Sequence, residues 1–424
     1  MVSTPAALDL FLYGVRVAIV TRAASPRVMG RLHWEWTGDA VRRWGIGSRV
    51  VSHSLPIGTS DKGLDVRATA FVDGLLPEGD LRTRRAIDLG VDPEDSYALL
   101  HRCGVDTAGA LVAVPAGTAP REAPTAYGDV LDDPDLAQLL HDAGRGQLRD
   151  VLTSISLAGL VPKIGVVRDD TGAWRLPSPG QPSTWIVKLA HPRESSAADV
   201  VDTEALCLDL GRRCGVTGVD AEILELGSTR AIALRRYDRL ADGSRLHQED
   251  LAQALSLATR DPERKFQRGR TLPSWAHAAG VLREGGGLLS PLARLLTFSF
   301  LVGNTDHHAK NIGFLRYVDG TVRLASAYDV AAHLHHPGPH WFALDVAGRR
   351  DAAEVTIGDV LAEVTAWGID AVRARAAVVD VIVALQSALT QVDRRAHPGV
   401  PPEAWGLLTD RVDEAAAFLD GRRP

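Results

Sequence analysis

The sequence contains little lysine and cysteine, and it lacks any long uncharged apolar run. Only five of its 47 basic residues are lysine, so a retained lysine suggests a position that needs a compact ammonium group rather than a guanidinium. The three cysteines are odd in number and have no CxxC spacing, which favours structural thiols in a reducing cytoplasm. Without a run of about 18 uncharged apolar residues, no membrane-spanning helix is expected.

Two further patterns are missing from the sequence. The N-terminus has no basic segment followed by an apolar core, so we expect no signal peptide and a cytoplasmic protein. The net charge of −6 argues against direct nucleic-acid binding by this chain alone. At 424 residues the chain is long enough for two or three domains, each with its own core.

The hydrophobic patterns divide the chain into three parts. Residues 1–125 have the pattern of short strands and turns, residues 126–245 alternate strands with helices, and residues 246–424 are mainly helical. We therefore expect an α+β protein with two lobes and a ligand cleft between them. Its N-lobe would be mixed α/β with a β-rich N-terminal subdomain, and its C-lobe would be all-α.

The stretch GNTDHHAKNIGFL (303–315) follows an apolar, helix-like run and concentrates polar side chains. Its candidate catalytic and ligand residues are Asp306, His308, Lys310 and Asn311. Asp306 and Asn311 have the D-x-x-x-x-N spacing of a kinase catalytic loop. The following apolar runs flank Asp319-Gly320, a pair typical of a two-residue hairpin turn, so Asp329 should return close to Asn311. Together they could ligate Mg²⁺ through hard oxygens, although a capped turn of hydrogen-bonded polar residues remains the alternative.

Two lysine-containing segments could bind a nucleotide. In STWIVKLA the alternating side-chain pattern of a strand places Lys188 in its middle, and Glu204 follows on the next helix. Kinases use a strand lysine and a helix glutamate of this kind to fix a cation on nucleotide phosphates. In SISLAGLVPKIGVV, Ser156, Gly159 and Lys163 could cradle a phosphate. Taken alone, an edge-strand lysine that reaches solvent is the better explanation of the first segment, and the second segment is explained by an ordinary β-turn.

A histidine-rich segment, HLHHPGPHW, invites a metal-site interpretation. Its histidines are His333, His335, His336 and His340. No HExxH motif or cysteine pair accompanies them, so solvent-exposed histidines are the preferred explanation.

Taken together, the order of these motifs resembles the HipA family, the serine/threonine kinase toxins of bacterial toxin–antitoxin systems. NTDHHAKN is similar to the family loop N-x-D-x-H-x-K-N, and YDV to its metal-binding aspartate motif. SLAGLVPK is similar to the phosphate loop S-x-A-G-x-Q-x-K, which places Ser156, Ala158, Gly159 and Lys163 on the named positions. WIVKLA, TEALCLDLGRRCGV and LRRYDR resemble the lysine strand, the next helix and the segment that links the lobes.

The resemblance implies a protein-kinase-like fold and an ATP- and Mg²⁺-dependent reaction. Asp306 would be the catalytic base in a loop with His308 and Lys310, and Asn311 and Asp329 would hold Mg²⁺. Lys188 would hold the α/β-phosphates, and Arg235 to Tyr237 would lie beside adenine. Ser156 matches the serine whose autophosphorylation switches the kinase off.

The resemblance also implies partners. Family members phosphorylate aminoacyl-tRNA synthetases and are restrained by a small helix-turn-helix antitoxin that binds operator DNA. Two positions depart from the family pattern: Val161 replaces the glutamine of the phosphate loop, and Arg235 stands where an acidic residue is common. The alternatives are a stand-alone kinase with another protein substrate and a corepressor module of an antitoxin–operator complex.

Overall fold

The computed structural model describes residues 4–23, 30–121, 126–148 and 161–421. The described residues form two compact units. The first contains those of Met1–Leu189, Glu225–Arg264 and Leu315–Thr321, and the second those of Ala190–Leu224, Lys265–Phe314 and Val322–Pro424. The functional division at residues 125 and 245 remains a prediction.

A four-stranded antiparallel sheet begins the first unit. Its strands are β1 (Leu8–Leu12), β2 (Val15–Arg22), β3 (Leu32–Trp36) and β4 (Val112–Pro115), in the order β3-β2-β1-β4. Strands β1 and β2 pair as an antiparallel hairpin. The expectation of only strands and turns in this part is wrong, because four helices pack their apolar faces into the same core. They are α1 (Gly38–Trp44), α2 (Leu64–Asp73), α3 (Gly79–Leu89) and α4 (Ser96–Cys103).

A second sheet of the first unit carries the predicted nucleotide lysines. Within this unit its order is β5-β7-β6-β8-β10. The strands are β5 (Val130–Leu131), β6 (Lys163–Arg168), β7 (Trp174–Arg175), β8 (Trp185–Leu189) and, after β9 (Ala221–Leu226), β10 (Thr229–Arg235). Helix α5 (Asp133–Arg145) begins with a capping box between Asp132 and Asp135. The first unit also contains β11 (His247–Asp250) and the short helix α7 (Leu251–Ala254). Helix α6 (Val200–Arg213) precedes them in the chain and belongs to the second unit.

The second unit is mainly helical. Its helices are α6 (Val200–Arg213), α8 (Trp275–Glu284), α9 (Ser290–Leu301), α10 (Ile357–Ala366), α11 (Ala371–Gln391) and α12 (Pro402–Leu419). Helix α11 packs against α9, α12 and α6, and buries an apolar stripe through Val378, Ile382 and Leu385. None of the helices in the described ranges is long and apolar enough to cross a membrane.

The C-terminal part is not all-helical, which corrects the expectation of an all-α C-lobe. The hairpin of β12 (Gly313–Arg316) and β13 (Val322–Leu324) is present, and β14 (Trp341–Val346) pairs with β15 (Arg349–Asp351). The hairpin loop has three residues rather than the predicted two, since the Tyr317 N–H donates to the Thr321 carbonyl at 3.0 Å. Gly320 takes φ +87°, the left-handed conformation that a three-residue loop needs.

Candidate active site

Helix α9 delivers the polar loop of the second unit. Nearly all of α9 is buried, so the position of its C-terminal end is fixed by packing. The helix ends in a Schellman arrangement: the Gly303 N–H donates to the Phe300 carbonyl at 3.1 Å, and the Asn304 N–H to the Ser299 carbonyl at 3.0 Å. Gly303 has φ +69°, and a Cβ there would lie 2.8 Å from the Leu334 side chain, so the position requires glycine.

Hydrogen bonds within the loop fix Asp306 and orient Asn311. The Asp306 N–H donates to Asn304 Oδ1 at 3.1 Å, and the Asp306 carbonyl accepts from the His308 N–H at 2.8 Å. The same carbonyl accepts from Asn311 Nδ2 at 3.0 Å. Because the nitrogen of this amide is committed to a carbonyl, Oδ1 is the amide atom that can serve as a ligand.

Asp329 follows the hairpin in the chain, and its charge acts on Asp306. The Ala325 N–H donates to the Gly313 carbonyl at 2.9 Å, and Tyr328 Oη donates to the Lys310 carbonyl at 2.7 Å. Asp329 itself takes φ +53°, which is costly for a residue other than glycine and recurs at functional sites. The chain thus returns a second carboxylate to where it raises the Asp306 pKa, as the turn predicted.

Asp306 has an unusually high pKa for an aspartate. Its side chain remains accessible to water, but the surrounding protein raises the pKa to about 6 by desolvation. Lys265 and Arg268 lower the pKa, and repulsion from Asp329 raises it. Sequence patterns did not assign Lys265 or Arg268 to the site, although Lys265 belongs to the small set of retained lysines.

The two histidines of the loop are buried and neutral. Burial lowers the pKa of His307 to about 4, and its Nδ1 lies 3.0 Å from Ser299 Oγ. Burial likewise holds the pKa of His308 well below its usual value, and its ring packs edge-on against Phe266 at 5.3 Å. A neutral, packed His308 favours a positioning role for this residue.

In the first unit, the two predicted phosphate lysines are direct neighbours. Strands β6 and β8 are antiparallel, with Lys163 opposite Lys188 in register, so both side chains point to the same sheet face. Lys188 is 8% exposed and β8 is an interior strand. The edge-strand explanation of Lys188 is therefore wrong. Two ammonium groups side by side favour an anionic ligand.

The other predicted nucleotide residues fall in different places. Arg235 ends β10 with an exposed side chain, and the Tyr237 hydroxyl donates to Gln248 Oε1. Glu204 is buried in α6 of the second unit. Burial of the Cys207 thiol raises its pKa, and the charge of Glu204 raises it further. Val161 lines a cavity together with Leu81, Leu148 and Lys163. Ser156, Ala158 and Gly159 lie outside the described residues.

A buried ion network holds the LRRYDR segment, and the motif alone did not predict it. Asp106 Oδ1 accepts from Arg239 Nη2 at 2.6 Å, and Asp238 accepts from Arg236 at 2.9 to 3.0 Å. Arg236 Nη1 also donates to Ser183 Oγ at 2.9 Å. The arginines hold the pKa of Asp106 well below its usual range against the opposing effect of burial. The segment after β10 is thereby held by its own ion pair and by contacts with Asp106 and Ser183, which are distant from it in the sequence.

The four histidines of the histidine-rich segment are partly buried rather than solvent-exposed, which corrects that expectation. His335 Nε2 lies 2.5 Å from Asp199 Oδ2, and His336 Nε2 lies 3.0 Å from Asp199 Oδ1. Burial opposes ionisation of Asp199, but the two histidines lower its pKa overall. The three cysteines are buried thiols without disulfide bonds, as their spacing predicted.

Comparisons with known proteins place the chain in a family. Models of the HipA N-terminal domain and the HipA-like C-terminal domain match residues 8–114 and 155–389. The putative kinase Y4mE of Sinorhizobium fredii is 32% identical over 63% of this chain, which spans 64% of that relative's length. The serine/threonine-protein kinase toxin HipA of Shewanella oneidensis is 24% identical over a match that covers 69% of this chain and 70% of that protein's length.

A solved structure supports the fold. The Shewanella oneidensis complex of HipA, HipB and operator DNA contains a chain that superposes with a TM-score of 0.77. The match covers 98% of both chains at 19% identity. With its two matched domains and this mixed α/β kinase fold, the chain belongs to the HipA family of serine/threonine protein kinases.

Proposed function

We propose that this chain transfers the γ-phosphoryl group of Mg·ATP to a serine or threonine hydroxyl of another protein. The observation that carries the proposal is the grouping of Asp306, Asn311 and Asp329 in the second unit. Asn311 is bonded to the Asp306 carbonyl, and Asp329 lies close enough to raise the Asp306 pKa. A base and two oxygen ligands are what phosphoryl transfer requires of a protein.

Asp306 is the proposed base. With a pKa of about 6 it is ionised at neutral pH, yet basic enough to accept the proton of the attacking hydroxyl. Lys265 and Arg268 keep it ionised, since both lower its pKa. His308 supports the loop through its contact with Phe266 rather than by proton transfer.

Asn311 Oδ1 and the Asp329 carboxylate fit a magnesium ion. Both are hard oxygen donors, and the bond from Asn311 Nδ2 to the Asp306 carbonyl already orients the amide for this role. When bound, Mg²⁺ neutralises charge on the phosphate oxygens. The neighbouring carboxylate of Asp306 adds negative potential that attracts a cation.

Lys163 and Lys188 are the proposed phosphate-binding cations of the first unit. Their cross-strand pairing provides two point charges on one sheet face. Two such charges suit a polyphosphate ligand better than a ligand with a single carboxylate. We place adenine beside Arg235 to Tyr237, where the buried ion network fixes the backbone at Arg236. Adenine recognition there would use backbone atoms, because the Arg235 side chain is exposed.

Phosphate transfer from γ-labelled ATP tests the proposal. The wild-type chain is incubated with Mg·ATP and a bacterial protein extract, beside Asp306→Ala and the control Asp410→Ala, which removes an exposed carboxylate from α12. We expect labelled phosphoserine or phosphothreonine with wild type and the control, and none with Asp306→Ala. Equal labelling by wild type and Asp306→Ala would refute Asp306 as the base.

We further propose that the kinase is a growth-inhibiting toxin acting in the cytoplasm on an aminoacyl-tRNA synthetase, restrained by a small helix-turn-helix antitoxin that binds operator DNA. Family membership supports this, as does the Shewanella oneidensis complex, which contains HipB and operator DNA. Expression in a bacterial host should arrest growth with wild type and Asp410→Ala but not with Asp306→Ala. Arrest by Asp306→Ala would favour a binding module instead.

Autophosphorylation at Ser156 is the proposed off switch. A phosphoserine adds about −1.5 to −2 charges seven residues before Lys163, so it would compete with ATP phosphates for the lysine pair. Peptide mass spectrometry after incubation with Mg·ATP should find phosphate on Ser156 in wild type only. Substrate labelling without Ser156 phosphate would leave the kinase intact and remove this switch.

A further inference from the structure

Asp199, His335 and His336 bring three metal-ligating atoms together outside the proposed catalytic residues. Both imidazole Nε2 atoms face one carboxylate, at 2.5 and 3.0 Å, and all three potential ligand atoms lie within 4.8 Å of one another. The side chains are 17%, 5% and 19% exposed, so the group is sheltered but accessible to a small ion. All three residues belong to the second unit.

The orientation of Asp199 is not explained by helix capping. Asp199 occupies the N-cap position of α6, but its side chain makes no capping bond. The N-cap aspartates of α5, α7 and α11 all accept backbone N–H groups of their own helices; they are Asp132, Asp250 and Asp370. Asp199 thus gives up an ordinary stabilising contact and directs its carboxylate at two imidazoles.

We propose that Asp199, His335 and His336 form a binding site for a divalent transition-metal ion of the zinc class. Two imidazole nitrogens and one carboxylate oxygen are the donor set of open zinc sites, in which water takes the fourth position. Ligand atoms around tetrahedral zinc are separated by about 3.3 Å, given bonds of about 2.0 to 2.1 Å. The two nitrogen–oxygen distances here, which end on different oxygens of Asp199, would have to widen by about 0.8 and about 0.3 Å.

Adjacent histidines connect this site to the catalytic loop. The His333 N–H donates to the Gly303 carbonyl at 3.2 Å, and His333 Nδ1 accepts from the Thr305 N–H at 3.3 Å. His340 Nε2 lies 2.9 Å from the His336 carbonyl. Metal binding would therefore tie the segment after Asp329 to the N-terminus of α6, and it would stabilise the loop that carries Asp306.

Cobalt titration tests the site without any kinase readout. The purified chain, in excess Mg²⁺, is titrated with Co²⁺ while its visible absorption is recorded, and Zn²⁺ is then added. We expect one equivalent of Co²⁺ with the intense bands of a low-symmetry site, displaced by Zn²⁺ and accompanied by a rise in Tm. His336→Gln and Asp199→Asn should weaken binding by at least about 100-fold.

Three controls make the outcome decisive. His397→Gln alters a histidine–aspartate pair that has no third ligand, in which His397 Nε2 lies 3.5 Å from Asp209, and it should leave binding unchanged. Asp329→Asn removes the proposed magnesium ligand and should also leave binding unchanged. Circular dichroism checks that each variant is folded. Equal Co²⁺ binding by wild type and His336→Gln, no absorption change in wild type, or loss of binding only in Asp329→Asn would each overturn the proposal.

Discussion

Replacing Asp106 by asparagine should strongly destabilise the first unit, although the change keeps the shape of the side chain. Asp106 is 2% exposed and faces three arginines: Arg236, Arg239 and Arg245. Asp238 is the other buried carboxylate of this network, so removing one negative charge leaves three cations and one anion.

Hydrogen bonding makes the amide an especially poor replacement. Asp106 Oδ2 accepts from the backbone N–H of Ser183 at 2.8 Å and from its hydroxyl at 2.7 Å, while Oδ1 accepts from Arg239 at 2.6 Å. Every one of these partners is a donor. An asparagine has only one acceptor oxygen, so its NH₂ group must face either the Ser183 N–H or the Arg239 guanidinium.

The expected cost is about 3 to 5 kcal/mol of unfolding free energy, the range seen when one partner of a buried ion pair is removed. The pKa of Asp106 is lowered on folding, so its stabilisation is complete above the ordinary aspartate pKa and is lost only as pH falls through the lower folded pKa. The difference between wild type and Asp106→Asn should therefore be constant from neutral pH down to about pH 5.

Urea unfolding followed by circular dichroism, with hydrogen exchange in peptides from β8 and β10, measures this difference. Asp39→Asn is the matched control, because Asp39 pairs with Arg42 on the surface, with 46% and 74% of the side chains exposed. It should cost at most about 1 kcal/mol. A loss below about 1 kcal/mol for Asp106→Asn, or normal exchange protection in β10, would refute the reasoning.

The proposed functional residues and the loop that carries them yield four further predictions. Because the Asp306 pKa is about 6, the phosphorylation rate should fall to half near pH 6 and to about one tenth at pH 5. A fall in rate with its midpoint near pH 4 would contradict the raised pKa. Lys265→Met should move that midpoint upward, because Lys265 lowers the Asp306 pKa, and a pH–rate profile checks it. Lys188→Met should lower kcat/KM for ATP about 10- to 100-fold in steady-state kinetics, the loss expected for one charged hydrogen bond. Gly303→Ala should cost about 1 to 3 kcal/mol in urea unfolding, because of its positive φ and the close approach of Leu334.

The sequence predicted the features that depend on local order along the chain. The run before Gly303 predicted a buried helix, Asp319-Gly320 predicted the hairpin, and Lys188 was correctly placed within a strand. Each of these is set by periodicity or turn chemistry within about 20 residues. The same local order brought Asp329 back toward the loop of Asp306.

Features that depend on distant segments were not predictable in this way. Lys265 acts on Asp306 from 41 positions away, and Asp106 pairs with Arg239 across 133 positions. The interior location of β8 also depends on pairing with β10, which local alternation cannot specify. The four helices of the N-terminal part were missed because short strands and turns dominated the pattern there.

The amide of Asn311 has two functions at its two ends, and this limits what mutagenesis can separate. Its nitrogen holds the carbonyl of Asp306, and its oxygen is the proposed metal ligand. Asn311→Asp would keep an oxygen ligand but set a carboxylate against that carbonyl, so the position of the base would shift together with the metal affinity. Rate losses from variants at Asn311 and Asp306 should therefore be non-additive, and a double-mutant cycle would report one coupled element rather than two independent residues.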